Sequence, residues 1–453
     1  MTRRFTAICS VWNNRLSGSN NAAFFVVYFE KAFRKKEKFF IELAFELLYI
    51  LYVGDFYMER KVGTISMGVR CGIIRQGDDL SEIVTSSVLE AVDSLGMQLA
   101  DRDVVAVTES IVARSQGNYA TIDDIAADVK AKFKENTIGV IFPITSRNRF
   151  AVCLRGIARG AKKVVLMFSY PSDEVGNELV SLDKIDAAGV NPYSDVLSLE
   201  KYREYFGENK HEFTGVDYVA YYQSLVESEG CECEIIFANQ AKTILNYTKH
   251  VLNCDIHTRA RTKRILKENG AETVYGLDDI LTSSHNGSGY NEKYGLLGSN
   301  KATEDSVKLF PHDATELVYD IQKRLFAASG KKVEVMVYGD GAFKDPQGKI
   351  WELADPIVSP AHTAGLIGTP NELKLKYLAD NDFAALKGDE LKQAISDSIK
   401  TKDANLKGTM ATEGTTPRQL TDLIGSLCDL TSGSGDKGTP IILIKGYFDN
   451  YTN

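Results

Sequence analysis

Residues 138–168 read IGVIFPITSRNRFAVCLRGIARGAKKVVLMF, and they contain two apolar runs separated by a helical pattern. Residues 138–142 and 163–168 have the length and the β-branched character of buried strands. The basic segment between them, residues 147–158, has the spacing of a helix. Strands that alternate with helical patterns of roughly 10–15 residues indicate parallel βαβ units. The stretch therefore predicts an α/β fold.

The same alternation continues on both sides of this stretch. Further strands are expected near residues 234–237, 251–256 and 273–275, and earlier Asp78 and Asp79 can cap a helix that begins at Leu80. We predict an inserted, doubly wound, mostly parallel α/β domain over residues 136–285. It divides an α+β core into a first part, 58–135, and a second part, 286–453. The segment 283–300, rich in Gly, Ser and Asn, is expected to be a loop.

Residues 1–57 differ from the rest, because they are crowded with aromatic side chains and end in an apolar run. That run, residues 39–53, is interrupted by Glu42 and Glu46 and is shorter than the ~20 residues that span a bilayer. Residues 54–58 can be encoded with a ribosome-binding sequence just before an ATG. We interpret Met58 as the true start and the leader as translated upstream DNA. An interfacial amphipathic anchor is the alternative.

Composition excludes several classes of function. The 453 residues include 53 Lys and Arg against 61 Asp and Glu, and a net charge of −8 argues against a general nucleic-acid binder. The odd count of seven cysteines favours reduced thiols in a cytoplasm, and Cys231 and Cys233 lack a second pair for a zinc site. Nucleotide, zinc-protease and hydrolase motifs of the familiar kinds are absent from the sequence.

Two glycine-rich turns are candidate sites for phosphate chemistry. Asp340 lies between Gly339 and Gly341 after an apolar strand, where its carboxylate can hold Mg²⁺ or Mn²⁺. A hairpin turn is the alternative reading. The loop 432–439 contains Lys437, and its exposed amides can bind a phosphate, unless it is only a solvated connection.

Three further candidates accompany them. The helix after Thr145 and Ser146 carries Arg147, Arg149 and Arg155, which favours either an anion site or a basic surface. Residues 254–257, Cys-Asp-Ile-His, end a strand, where Asp255 and His257 either bind a ligand or cap the next helix. The third candidate is a group of residues after the strand of Asp340, namely Glu352, Asp355 and His362. They can complete a metal site with Asp340 if their strands are neighbours.

Five segments together resemble one family. They are CGIIRQGDDLSEIV (71–84), DRDVVAVTESIVARSQG (101–117), GLLGSN (295–300), GKKVEVMVYGDG (330–341) and SGSGDKGTPIILIKG (432–446). In this order they resemble the gamma-glutamyl ligases of the deazaflavin coenzyme F-420. The segment between 117 and 295 has no counterpart in the compact family members, which agrees with an inserted domain.

The resemblance implies a GTP-dependent ligase that also needs Mn²⁺ or Mg²⁺. Such an enzyme adds L-glutamate to a carboxylate of a deazaflavin coenzyme precursor through an acyl phosphate. The resemblance also implies an intertwined homodimer that acts on small molecules in the cytoplasm, with neither a nucleic acid nor a membrane as partner.

The resemblance also assigns roles to residues. Asp340 matches a metal-binding aspartate and, with Arg114, is expected to be catalytic. The expected nucleotide-contacting residues are Thr108, Glu109, Ser110, Asn300, Gly433, Ser434, Gly435, Asp436, Lys437 and Gly438.

Three positions depart from the family pattern. Leu297 stands where the family has an aspartate, Ser434 where it has Gln or Glu, and Arg114 where it has a lysine. The departures imply a single metal ion, a relocated ligand such as Asp355, or the loss of ligase chemistry. Two alternatives follow: a ligase of the same mechanism that acts on another carboxylate, and a non-catalytic nucleotide- or metabolite-binding protein.

Overall fold

A computed structural model describes residues 62–211, 214–340, 357–413, 418–432 and 436–452. The predicted leader, residues 1–57, therefore lies outside the described residues. The helices and three sheets of the described ranges confirm the α/β fold class.

The first sheet has five strands, in the order β1, β14, β2, β12, β13. Only β2 and β12 are parallel, and each other neighbouring pair is antiparallel. The bounds are β1 Ile65–Val69, β2 Val104–Thr108, β12 Glu334–Asp340, β13 Ile357–His362 and β14 Ile441–Lys445.

Both faces of this sheet are covered, which explains why its central strands are apolar without alternation. Val105 and Val107 point to one face, where helices α1 (Leu80–Ser94) and α9 (Ala314–Ser329) pack. Val104 and Ala106 point to the other face, which α12 (Leu420–Ser432) covers. The predicted cap of α1 is confirmed, since Asp79 accepts a hydrogen bond from the amide of Glu82 at 3.0 Å.

The second sheet is a three-stranded antiparallel sheet. Its members are β3 (Tyr119–Thr121), β10 (Ser299–Thr303) and β11 (Ser306–Leu309), with β11 in the middle. The prediction of a loop as far as Asn300 is wrong at its end, because β10 begins at Ser299. The polar sequence SNKAT has no strand periodicity, and β10 is ordered by its pairing with β11.

The third sheet has six strands, in the order β6, β7, β5, β4, β8, β9, and only β6 runs antiparallel to its neighbour. The bounds are β4 Thr137–Ile141, β5 Lys163–Phe168, β6 Leu197–Ser198, β7 Glu232–Phe237, β8 His250–Asn253 and β9 Thr273–Gly276. The chain adds strands on one side of β4 and then on the other, which is the order of a doubly wound sheet.

Helices cover both faces of the six-stranded sheet. One face packs under α3 (Ile122–Lys132), α4 (Arg149–Arg159), α5 (Leu182–Ala188), α6 (Leu199–Phe206) and α7 (Tyr218–Ser228). The other packs on α8 (Arg259–Glu268) and on a 3₁₀ turn, Ala241–Asn246. Leu297 and Val307 belong to the first of these cores, so the three-stranded sheet shares it.

Three further helices and several 3₁₀ turns complete the described elements. They are α2 (Glu109–Gln116), α10 (Leu375–Asp380), α11 (Gly388–Thr401) and 3₁₀ turns at Leu277–Asp279, Gly295–Gly298, Ala364–Leu366 and Met410–Thr412. None of the helices in the described ranges combines the length and the apolar character needed to cross a bilayer.

Candidate active site

Three strand ends meet at one edge of the five-stranded sheet. β2 and β12 are parallel, with Thr108 opposite Tyr338, so both strands end at this edge. β14 runs in the opposite direction and begins there, and the amide of Thr108 donates to the carbonyl of Pro440 at 3.0 Å. The end of β2, the backbone of Asp340 and the loop before β14 are therefore neighbours.

Glu109 lies in the first turn of α2, directly after β2. Thr108 caps this helix, and its hydroxyl oxygen accepts from the amide of Ser110 at 3.5 Å. Glu109 is only 3% exposed. Its Oε1 lies 3.2 Å from Nζ of Lys308 and accepts from Nδ2 of Asn300 at 3.4 Å. The structure thus brings together two segments of the predicted nucleotide site that are far apart in sequence.

The pair of Glu109 and Lys308 is buried, with side-chain exposures of 3% and 11%. Lys308 faces Asn300 across the ladder of β10 and β11, so one hairpin presents both groups to the carboxylate. Transferring an isolated charge from water into such a site costs several kcal/mol, and only a well-placed counter-ion offsets that cost. The two charges therefore fix the hairpin against the start of α2.

Gly339 allows β12 to pass directly over Glu109. A Cβ atom at position 339 would lie 2.1 Å from Cγ of Glu109, far inside van der Waals contact. A side chain is thus excluded at this position, and the backbone of Asp340 follows immediately. The Asp340 side chain lies outside the described part of the structure.

The glycine-rich loop reaches the same edge. Asp436 and Lys437 are exposed, and Gly438 has a φ of +64°, a conformation that favours glycine. Thr439 then donates its hydroxyl to the carbonyl of Ser432 at 3.1 Å. Lys437 is therefore accessible in the loop that leads into β14. The other predicted members of this loop lie outside the described residues; they are Gly433, Ser434 and Gly435.

Arg114 is not next to the buried pair. It lies in the last turn of α2, exposed, about 7.5 Å along the helix axis from Glu109. The helix ends one residue before the left-handed Gly117.

The predicted metal ligands are separated in part. In the ladder of β12 and β13, Asp340 lies opposite Ile357, whereas His362 lies opposite Met336. Four residues of strand separate the two positions, about 13 Å, so His362 does not join Asp340. Glu352 and Asp355 lie outside the described residues.

The candidates at the end of β8 serve local structure. Oδ2 of Asp255 accepts from the hydroxyls of Thr258 and Thr262 at 2.7 and 2.5 Å. Burial raises the pKa of Asp255, although these hydrogen bonds lower it in part. Nδ1 of His257 lies 3.1 Å from Oε2 of Glu174. These contacts fasten β8 to α8, but the N-cap residue Thr258 makes no side-chain capping hydrogen bond, so the capping interpretation is not confirmed.

The predicted anion site before α4 has lost two of its donors to protein groups. The amide of Thr145 donates to Oδ2 of Asp173 at 2.9 Å. The amide of Ser146 donates to the hydroxyl of Tyr222 at 2.6 Å. These two backbone amides are therefore not available to an anion, and the arginines of the segment form a basic surface.

Lys308 is the residue that sequence reasoning missed. Its signal was a lysine inside the apolar run VKLF, since a lysine is rarely buried without a partner. Such a run also fits an exposed edge strand, so the signal does not point to Glu109.

The described residues alone do not make a metal site. They contain no group of three His, Cys, Asp or Glu side chains placed to hold an ion. Glu109, the buried carboxylate at this edge, is bonded to Lys308 and Asn300. A divalent ion here would depend on Asp340 and Asp355, whose side chains lie outside the described part.

Comparison with known families decides the assignment. The family model F420-0:Gamma-glutamyl ligase matches residues 68–446. The chain belongs to this ligase family. The comparison with curated proteins found no match. The matched range begins in β1 and ends just after β14, so it includes every strand end of the candidate site.

Leu297 stands where the resemblance to this family leads us to expect an aspartate. This residue is 1% exposed and packs in the core shared by the three- and six-stranded sheets. An aspartate here would bring a carboxylate among apolar side chains, at a high desolvation cost. In this F420-0:gamma-glutamyl ligase family member, position 297 thus stabilises the core.

Proposed function

We propose that the strand-end edge is the active site of a GTP-dependent amide ligase that requires Mn²⁺ or Mg²⁺. The reaction joins L-glutamate to a carboxylate of a deazaflavin coenzyme precursor, in the cytoplasm, in a homodimer. The observation that carries the proposal is the convergence of Thr108, Glu109, Asn300 and the backbone of Asp340 at one edge of a ligase-family fold. Lys437 is exposed in the loop that leads into β14 at that edge.

The proposed reaction has two steps. An oxygen of the acceptor carboxylate attacks the γ-phosphorus of GTP, the bond to the β–γ bridging oxygen breaks, and GDP leaves. The amine of glutamate then attacks the carbonyl carbon of the acyl phosphate. The amide bond forms, the bond to the phosphate oxygen breaks, and the amine loses a proton. Positioning and charge stabilisation supply most of the catalysis in such transfers.

The chain's own groups would act mainly as positioning and charge-stabilising elements. Lys437 and the amides near Gly438 would contact phosphate oxygens, since such loops provide donors and positive charge. Arg114 would contribute a second positive charge only if the substrate spans the length of α2. Asp340, with Asp355, would hold a divalent ion, which supplies charge neutralisation on the transferring phosphoryl group.

We also propose that residues 136–285 form an inserted domain that sets acceptor specificity. The six-stranded sheet lies within residues 137–276, between the two parts of the five-stranded sheet in sequence. The buried Leu297 favours a second candidate, a ligase of the same mechanism on another carboxylate, because a metal-ligand position has changed. A non-catalytic nucleotide- or metabolite-binding protein is the third.

Thermal unfolding of the full chain tests nucleotide binding, with GTP or ATP, each with and without Mn²⁺. A ligand that binds only the native state raises the free energy of unfolding by about 2.7 kcal/mol at a hundredfold excess over Kd. We expect GTP with Mn²⁺ to raise the midpoint and ATP to have little effect. No shift with any nucleotide would refute the phosphoryl-transfer mechanism.

Mass spectrometry of the products separates the three candidates. We expect a glutamate adduct of the deazaflavin precursor with wild-type protein, and a loss of turnover by orders of magnitude in Asp340→Ala. The matched control is Asp186→Ala, an exposed aspartate in α5 outside this edge. An adduct on another carboxylate supports the second candidate, whereas nucleotide binding without any adduct supports the third.

A further inference from the structure

A cleft of about 390 Å³ opens between α4, α7 and the hairpin of β10 and β11. Lys301 of β10 lines it, while the preceding residue, Asn300, bonds to Glu109 in the candidate active site. Successive side chains of a strand point to opposite faces. The cleft therefore lies on the other face of the hairpin from the buried pair and is a separate site.

Basic side chains dominate the cleft. Four of them line it: Arg147, Arg155, Arg159 and Lys301. The carboxylate that is fixed among them is Glu229, whose side chain is 5% exposed. Nε of Arg155 and NH2 of Arg159 lie 2.6 and 2.7 Å from its two oxygens. Glu229 thus holds two guanidinium groups side by side at the cleft wall.

The other acidic partners of these cations are in water. Asp305, which contacts Arg155, is 73% exposed, and Asp123, which contacts Arg159, is 80% exposed. Glu304, the partner of Lys301, is 85% exposed. Ion pairs of this kind contribute little, so an anion that enters the cleft can replace them.

Arg147 differs from the other three cations of the cleft in its partners. It is exposed at the mouth of the cleft, before the start of α4. Within the described ranges it forms no ion pair with an acidic side chain. Its guanidinium fork is suited to bidentate contacts with a carboxylate or phosphate.

The size and the walls of the cleft define the ligand. Pockets for small molecules have volumes of ~300–1,000 Å³, and this cleft is near the lower limit. Tyr221 and Leu225 of α7 supply an apolar wall beside the cations. We propose that the cleft binds a small molecule with two or more negative charges, either a polycarboxylate or a phosphate compound, with Arg147 as its principal contact. This inference does not depend on the proposed ligase reaction.

Isothermal titration of the full chain tests the inference, with citrate and inorganic pyrophosphate as separate probes at constant ionic strength. At least one probe should bind, and Arg147→Ala should raise its Kd about tenfold or more, since a charged hydrogen bond is lost. Arg261→Ala is the matched control, because Arg261 is an exposed arginine of α8 outside the cleft lining. Its Kd should equal that of the wild type.

The identity of the binding probe distinguishes the sources of negative charge. Citrate binding that depends on Arg147 indicates a polycarboxylate, and pyrophosphate binding with that dependence indicates a phosphate compound. The inference is overturned if neither probe binds, or if Arg147→Ala leaves every observed Kd unchanged. Pyrophosphate that binds independently of Arg147 occupies another site, such as the loop of Lys437.

Discussion

Replacing Lys308 with methionine removes the ammonium group of the buried pair from Glu109, which is 3% exposed. The hydrogen bond from Asn300 spans 3.4 Å, which is too long to replace that charge. Breaking a buried pair in this way costs about 3–5 kcal/mol. At about 1.4 kcal/mol per tenfold, the opening equilibrium of the hairpin should rise by roughly two to three and a half orders of magnitude.

Hydrogen exchange measured by mass spectrometry follows that opening, because the amides of β10 and β11 exchange when the hairpin separates from α2. We expect Lys308→Met to reduce their protection by the stated factor. The double variant with Glu109→Gln should recover much of it, because it also removes the carboxylate charge that Lys308 balances.

The control is Arg264→Met, which breaks a pair with Glu268 that is more than half exposed on both sides. It should change the protection of α8 by less than about tenfold, because such pairs contribute about 0–1 kcal/mol. The reasoning is refuted if Lys308→Met costs no more than this control. It is equally refuted if the loss of protection in the double variant equals the sum of the losses in Lys308→Met and in Glu109→Gln.

Three further outcomes are expected. Gly339→Ala should lower the free energy of unfolding by about 1–3 kcal/mol, because its Cβ would meet Glu109, whereas Gly72→Ala, with open space around it, should be nearly neutral in urea unfolding. Burial by itself would raise the pKa of Asp217. The hydrogen bonds from Arg203 lower that pKa by more than burial raises it, so the pKa is below the usual carboxyl value. The ionised Asp217 therefore contributes to the free energy of unfolding at neutral pH, and this contribution is lost as the pH falls through the lowered pKa. The difference in free energy of unfolding between wild type and Asp217→Asn should shrink below about pH 4. A difference that grows in this range would show that the pKa is raised instead. Iodoacetamide on the native protein, mapped by mass spectrometry, should label Cys71 before the more buried thiols, whose pKa values burial raises further; these are Cys231, with a pKa of about 11, and Cys233, with a pKa of about 12.

The sequence determined the elements that carry their own signal. The apolar runs 138–142 and 163–168 became β4 and β5, since β-branched runs of this length bury on both faces of a parallel sheet. Asp79 caps α1 as predicted, because a cap needs only neighbouring residues. The ordered motifs from 71 to 446 also sufficed to identify the ligase family.

Contacts between distant segments set the features that no local pattern predicts. β10 is a strand because β11 pairs with its polar sequence, and no local pattern announces that pairing. Glu109 and Lys308 meet although 199 residues separate them, and His362 and Asp340 diverge although the ladder makes their strands neighbours. Register and burial set these distances, and both arise from packing. The residue types at the candidate site could therefore be predicted from the sequence, whereas the buried pair of Glu109 and Lys308 that joins its two segments could not.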